Sequence, residues 1–145
     1  MIESVLEDHK LAMLARKLVL QPSLAPVTVS GDQEKLRIIV DNLVSNAIKY
    51  SPDGSPLSVS LEANAADAVI DVVDAGPGIP AAERELVFEA FYQGAPASKG
   101  HVRGSGLGLS IAREYAQAHG GDIHVLDSDE TGAHLQVVLP LGQDV

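Results

Sequence analysis

GDQEKLRIIVDNLVSNAIKYSPDG, residues 31–54, carries the clearest helical pattern in the chain. Leu36, Ile39, Val40, Leu43 and Ala47 recur at helical spacing and form one apolar stripe. Asp32 is placed to cap the first turn, and Ser51-Pro52-Asp53-Gly54 supplies turn chemistry that ends the helix. Such a helix must lay its stripe on something, and the following sequence offers a sheet. Leu57, Val59 and Leu61 alternate with Ser58, Ser60 and Glu62, the period of a half-buried strand. Ala68 to Asp74 (AVIDVVD) is a second, more apolar run, and the short turn from Asn64 to Asp67 predicts a hairpin between them.

Working outward, Ile2 to about Lys17 contains no Gly or Pro and reads as one helix. Leu18 to Gln21 and Val27 to Ser30 read as short strands around turns at Pro22 and Pro26. Beyond the hairpin, Gly76 to Pro80 breaks the pattern, and Ala81 to about Tyr92 reads as a short helix. Gly94 to Gly104 reads as an open loop. Leu107 to about Ala118 is again helical, with Gly120 as its stop. Asp122 to Leu126 and Ala133 to Pro140 form the last two strands, joined by a polar turn. The fold predicted is α/β (α+β): a two-layer sandwich of a mixed β-sheet with helices packed on one face.

Composition narrows the function. At 145 residues and 46% hydrophobic, the chain is long and apolar enough for one globular domain. It has no cysteine, which excludes a disulfide framework, a cysteine zinc site and a thiol nucleophile. The formal net charge of −10 argues against a general affinity for nucleic acid, which rests on many Lys and Arg contacts to phosphate. Ala95 to Gly104 reverses that sign locally, with Lys99, His101 and Arg103 and no acid. Glu3, Glu7 and Asp8 near the start do not read as a signal peptide, and no apolar run approaches the ~20 residues that span a bilayer.

Four segments carry chemistry. In NLVSNAIKYS, residues 42–51, Asn42, Asn46 and Lys49 are spaced +4 and +3 and share a helix face away from the apolar stripe. Amide oxygens can ligate Mg²⁺ and a lysine can meet phosphate; a solvated polar face is the other reading. In DAGPGI, residues 74–79, Asp74 ends a buried strand, where a carboxylate can accept a hydrogen bond from an exocyclic amine such as adenine's. Gly76 and Gly78 permit close backbone approach; a tight capped turn is the plainer alternative. FEAFYQG, residues 88–94, gathers Phe88, Phe91 and Tyr92, assigned to packing. GSGLGLSIA, residues 104–112, runs three glycines into a helix N-terminus, a ready anion site that matches neither a GK[ST] phosphate loop nor a GxGxxG fingerprint.

Together and in this order, the four segments resemble the N, G1, F and G2 boxes of sensor histidine kinases, within the GHKL superfamily of ATPases and kinases, over roughly residues 30–140. The resemblance implies the Bergerat ATP-binding fold and, as cofactors, ATP and Mg²⁺. By position, Asn46 matches the Mg²⁺ ligand, Asn42 a polar neighbour on the same face, Lys49 the phosphate-side lysine and Tyr50 the aromatic beside the nucleotide. Asn46 and Lys49 are the matched catalytic pair. Asp74 matches the adenine-selecting carboxylate, with Gly76, Gly78 and Ile79 around the base. Gly104, Ser105, Gly106, Leu107 and Gly108 match the segment that closes on the phosphates. Lys99 and Arg103, with His101, would be cations of an ATP lid at about 80–104.

The implied reaction moves the γ-phosphate to a histidine on a separate dimerisation domain of the same protein, with a response regulator as indirect partner. None of the 5 histidines lies in an HExxxP acceptor context. Residues 1–17 are read as the tail of, or linker from, that dimerisation domain, and 18–145 as the catalytic domain. By itself the chain is expected to be monomeric, to bind no nucleic acid, and to be the cytoplasmic part of a membrane-anchored sensor. Where ATPase branches of the superfamily place a water-activating glutamate, this chain has Asn42, whose amide takes no proton at neutral pH. A serine kinase of the same superfamily and a degenerate, non-catalytic nucleotide-binding module are the alternatives.

Overall fold

The computed structural model describes residues 1–89, 108–126 and 132–141. The helix read first from sequence is α3, Gln33–Tyr50. Asp32 caps it, its Oδ1 accepting from the Glu34 and Lys35 amides at 3.0 and 3.2 Å. α3 buries Leu36, Ile39, Val40, Leu43, Val44, Ala47 and Ile48, the stripe widened along one flank by Val44 and Ile48.

That face lies on a five-stranded sheet made by β1 (Val19–Leu24), β2 (Pro56–Ala63), β3 (Asp67–Val73), β4 (Asp122–Leu126) and β5 (His134–Pro140), in the order β1-β2-β3-β5-β4. β1 runs parallel to β2, and the other pairings are antiparallel. A parallel neighbour needs a crossover, and α3 supplies it. The β2–β3 hairpin forms as predicted; its turn is held by Asn64, whose Oδ1 accepts from the amides of Ala66 and Asp67 at 2.9 and 2.8 Å.

Alternation puts Leu57, Val59, Ile70, Val72, Leu135 and Val137 into one core with the helices. The opposite face carries Ser58, Ser60, Asp71, His134 and Gln136. There His134 Nε2 meets Asp71 Oδ1 at 2.6 Å and Gln136 donates to the same oxygen at 3.0 Å. α4, Gly108–Ala118, joins the core through Ala112 and Ala116, small residues that let it lie close beside α3. The mixed sheet with helices on one face is therefore the observed architecture.

Three local expectations are corrected. The N-terminal segment is two helices, α1 (Ile2–Asp8) and α2 (Lys10–Ala15), broken at His9. α1 buries Ile2, Val5 and Leu6, whereas α2 buries only Met13 and leaves Leu11 and Leu14 exposed, so one straight helix would not serve both. Val27–Ser30 forms no strand. β1 instead runs on through Pro22 to Leu24, which an edge strand tolerates because its outward amide needs no partner. Ala81 to Phe88 holds two 3₁₀ turns, Ala81–Glu83 and Leu86–Phe88, in place of a helix, and what was read beyond Glu89 lies outside the described residues.

Candidate nucleotide site

Asn42, Asn46, Lys49 and Tyr50 are half-buried on α3, distinct from the seven buried positions that meet the core. Two contacts bring this polar face to the other chemical segments. At the start of α4, a Cβ on Gly108 would stand 3.1 Å from Asn42 Oδ1, tighter than ordinary contact. At the α3 terminus, a Cβ on Gly76 would overlap the Tyr50 carbonyl oxygen. Glycine at 76 is therefore required by the close approach of the α3 backbone, and Gly108 lies tight against the Asn42 side chain. The Asn42 helix thus adjoins both the Asp74 turn and the N-terminus of α4.

Asp74 follows β3 and is 6% exposed. Both backbone donors that hold it use one oxygen: Oδ1 accepts from Gly76 N at 2.8 Å and Ala133 N at 3.1 Å. Oδ2 is left without a protein donor among the described residues. Burial raises the carboxyl pKa above its usual 3.8, and the two backbone hydrogen bonds only partly oppose that shift. A buried carboxylate with one oxygen fixed, and the other taking no donor among the described residues, has the chemistry of a directional acceptor for an amine. Gly78, at φ +80°, takes the left-handed turn that follows, and a Cβ there would meet Gly132 O at 3.0 Å. Ile79 is partly buried against the core.

Sequence reasoning missed Gly132 and Ala133. Gly132, at φ +131°, leaves room for the Asp74 carbonyl oxygen, which a Cβ would overlap, and Ala133 supplies the second amide to Asp74. The Thr131-Gly132 pair before the last strand was the available signal, read only as a polar turn. Arg113 was also missed. Its Nε donates to Asp122 Oδ1 at 2.8 Å, Nη1 to Glu85 Oε1 at 3.1 Å, and its guanidinium lies 4.4 Å from the Phe88 ring centroid. Burial pushes the Asp122 carboxyl up, but hydrogen bonds from Arg113 and the Ile123 amide outweigh it and leave its pKa lowered. Phe88 is buried, the packing role expected of it, and Arg113 ties its turn to α4.

His119, expected at a helix end, joins two helices. Its Nδ1 meets Tyr115 O at 2.8 Å and its Nε2 accepts from Asp32 N at 3.1 Å, so the imidazole fastens the end of α4 to the cap of α3. Lys99, His101, Arg103, Gly104, Ser105, Gly106 and Leu107, with Phe91 and Tyr92, lie outside the described residues.

Asn42 and Asn46 carry amide oxygens and Lys49 an ammonium, groups of the kind that a magnesium nucleotide would use. Among the described residues no cluster of three or more His, Cys, Asp or Glu could hold a metal by itself. A hard ion here would draw ligands from an amide oxygen and from phosphates, the usual manner for Mg²⁺. Among the described residues no helix is long and apolar enough to cross a membrane.

The sequence profile of the histidine kinase-, DNA gyrase B- and HSP90-like ATPase family matches residues 31–143. The chain is 40% identical over 118 residues to the sensor histidine kinase WalK of Bacillus subtilis (strain 168), covering 80% of this chain and 19% of that protein. It is 32% identical over 140 residues to the sensor histidine kinase GlrK of Escherichia coli (strain K12), covering 97% of this chain and 30% of that protein. It thus spans less than a third of the length of these curated relatives. The solved structure of a mycobacterial sensor histidine kinase, MprB, superposes with a TM-score of 0.83 at 33% identity, covering 96% of this chain and 92% of that one. With Asp74, α3 and α4 arranged around one another as described, the chain belongs to the histidine kinase-, DNA gyrase B- and HSP90-like ATPase family and is an ATP-binding catalytic domain of the sensor histidine kinase kind.

Proposed function

We propose that this domain holds magnesium ATP between α3, the Asp74 turn and the start of α4, and presents its γ-phosphate to a histidine on a separate dimerisation domain of the same protein. The observation that carries the reading is the buried Asp74 carboxylate, with Oδ1 occupied by two amides and Oδ2 without a donor among the described residues. Asp74 Oδ2 accepts from the adenine amino group, and Gly76, Gly78 and Ile79 let the base lie close. Asn46 would contribute an amide oxygen to Mg²⁺, and Lys49 and Asn42, on the same side of α3, would meet the phosphates. By their place in the sequence, Gly104 to Gly108 are the proposed phosphate segment, and Lys99 and Arg103 the proposed lid cations. Mg²⁺ supplies charge neutralisation on the phosphate oxygens.

The transfer itself is positional. An imidazole nitrogen of the acceptor forms a bond to the γ-phosphorus as the bond from that phosphorus to the β,γ-bridging oxygen breaks, and ADP leaves carrying the oxygen. Alignment and charge compensation lower the barrier. Asn42 offers no carboxylate to take a proton from water, which favours holding ATP for transfer over hydrolysing it. Residues 1–17 then lead from the dimerisation domain, and a response regulator receives the phosphoryl group afterwards. Such a domain works on the cytoplasmic side, where ATP is found.

The test mixes the chain with ATP, Mg²⁺ and a separately produced dimerisation domain. Acid-labile phosphate on histidine is the expected result. Acid-stable phosphoserine would assign the chain to the serine kinases of the superfamily, and binding without transfer would mark a non-catalytic module.

A further inference from the structure

The N-terminal helices lie outside the matched family region, yet they grip the helix that carries the site. Arg37 of α3 donates to Ser4 Oγ at 3.0 Å and pairs with Asp8. One turn further along α3, Asp41 Oδ1 meets His9 Nε2 at 2.7 Å. At the end of α3 stands Arg16, just after α2. Its Nη1 donates to the carbonyls of Ile48 at 2.9 Å and Lys49 at 3.4 Å, its Nη2 to the Ser51 carbonyl, and its Nε to Asp53 Oδ1 at 2.8 Å. The last carbonyls of a helix have no partner within it and carry the negative end of its dipole. A planar cation with several donors satisfies both needs at once. The turn that delivers Arg16 is tight: Lys17 follows at φ +56°, and the Arg16 carbonyl accepts from Gly54 N at 2.9 Å.

The carbonyls that Arg16 holds belong to the turn that presents Lys49 and Tyr50, and the Tyr50 carbonyl abuts Gly76 of the Asp74 turn. We propose that Arg16 is a positioning residue for nucleotide binding: its guanidinium fixes the last turn of α3 against the Asp74 turn, so that the placement of the N-terminal helices is felt in the pocket. The inference rests on the nucleotide reading above. A change in how α2 delivers Arg16 to the end of α3 alters ATP affinity through Arg16, without any contact of its own to the nucleotide.

The experiment is calorimetric titration of the full chain with Mg²⁺ and a non-hydrolysable ATP analogue, beside thermal melts. Arg16→Ala is expected to weaken binding about three- to tenfold, the range for a residue that acts through a packed network. Arg16→Lys, with one point charge for three carbonyls, falls between Arg16→Ala and the parent. Asp53→Asn removes only the exposed ion pair and leaves affinity unchanged. Arg37→Ala breaks the ties to Ser4 and Asp8, lowers Tm and also leaves affinity unchanged, which separates positioning from general loss of stability. Parent-like binding by Arg16→Ala, or equal weakening by Arg37→Ala, overturns the proposal. If Arg16→Ala does not fold, Arg16→Lys decides: weaker binding with a native circular dichroism spectrum supports it, and parent-like binding overturns it. A parent chain that fails to bind the analogue, or is indifferent to Asp74→Asn, sinks the pocket reading instead.

Discussion

Replacing Asp74 by Asn separates the pocket from the fold that surrounds it. Gly76 N and Ala133 N both donate to Oδ1, so an asparagine with its oxygen in that place keeps both bonds. Only Oδ2 changes, from an acceptor to an NH₂ that would face the adenine amino group donor to donor. Losing a hydrogen bond to a charged acceptor costs about 1.5–3 kcal/mol. At about 1.4 kcal/mol per decade, ATP affinity should fall roughly 10- to 150-fold. The fold should lose little. The carboxyl pKa is raised above 3.8 by burial, so the ionised form is a net burden on the native state at neutral pH. That burden is present above the raised native pKa and fades as pH falls through it, and the neutral amide removes it at every pH. Urea melts at neutral pH should therefore show Asp74→Asn as stable as the parent or more so. In the parent, ATP affinity should decline on the acid side, beginning above the usual carboxylate range, while the variant should lack that dependence. Calorimetry reads the affinity, and an unchanged dissociation constant would refute the assignment of Oδ2 to adenine. Unfolding of the variant would refute the claim that Oδ1 alone serves the fold.

Other expectations follow from single contacts. Asn46→Ala should abolish the gain in ATP affinity that Mg²⁺ brings; titrations in which Mg²⁺ helps parent and variant equally would remove Asn46 from the metal. Lys17→Gly should stabilise the domain by roughly 0.5–1 kcal/mol in urea melts, because Lys17 occupies the left-handed region at φ +56° and glycine enters it without Cβ strain. Asp122→Asn should destabilise at neutral pH. Because the native Asp122 pKa is lowered, its contribution is present above the ordinary value of 3.8 and lost as pH falls through the native value. The gap between parent and variant should therefore close on acidification, and a pH-independent gap would show that packing rather than charge is at stake.

How much of this could be read from the sequence depended on the kind of signal. α3 was legible because its apolar stripe, acidic cap and proline stop agree, each from local physics. The hairpin was legible because alternation and a short polar turn agree. The break at His9 was not, since Leu11 and Leu14 look like core until the structure leaves them in solvent. Val27–Ser30 has strand composition, but β1 had already used its partner on β2 further back, through Pro22. At the candidate site, Asp74, Gly76 and Asn42 could be singled out because each sits in a short local pattern. Ala133 was not, because its amide reaches Asp74 across 59 positions of sequence and leaves no mark in side-chain chemistry. Arg16 likewise acts through carbonyls, which every residue possesses.

The order of the strands has a kinetic consequence. β2 and β3 meet through a short turn, whereas β1 meets β2 only after α3 has formed and bridged the gap between Leu24 and Pro56. Pairings that close long loops assemble late. β1, on an outer edge, is then expected to be the last strand to zip and the first to detach in native-state hydrogen exchange, taking α2 with it. Partial opening at this margin would release α2 while α1, α3 and the central strands remain assembled, leaving the domain a hinge that costs less than global unfolding.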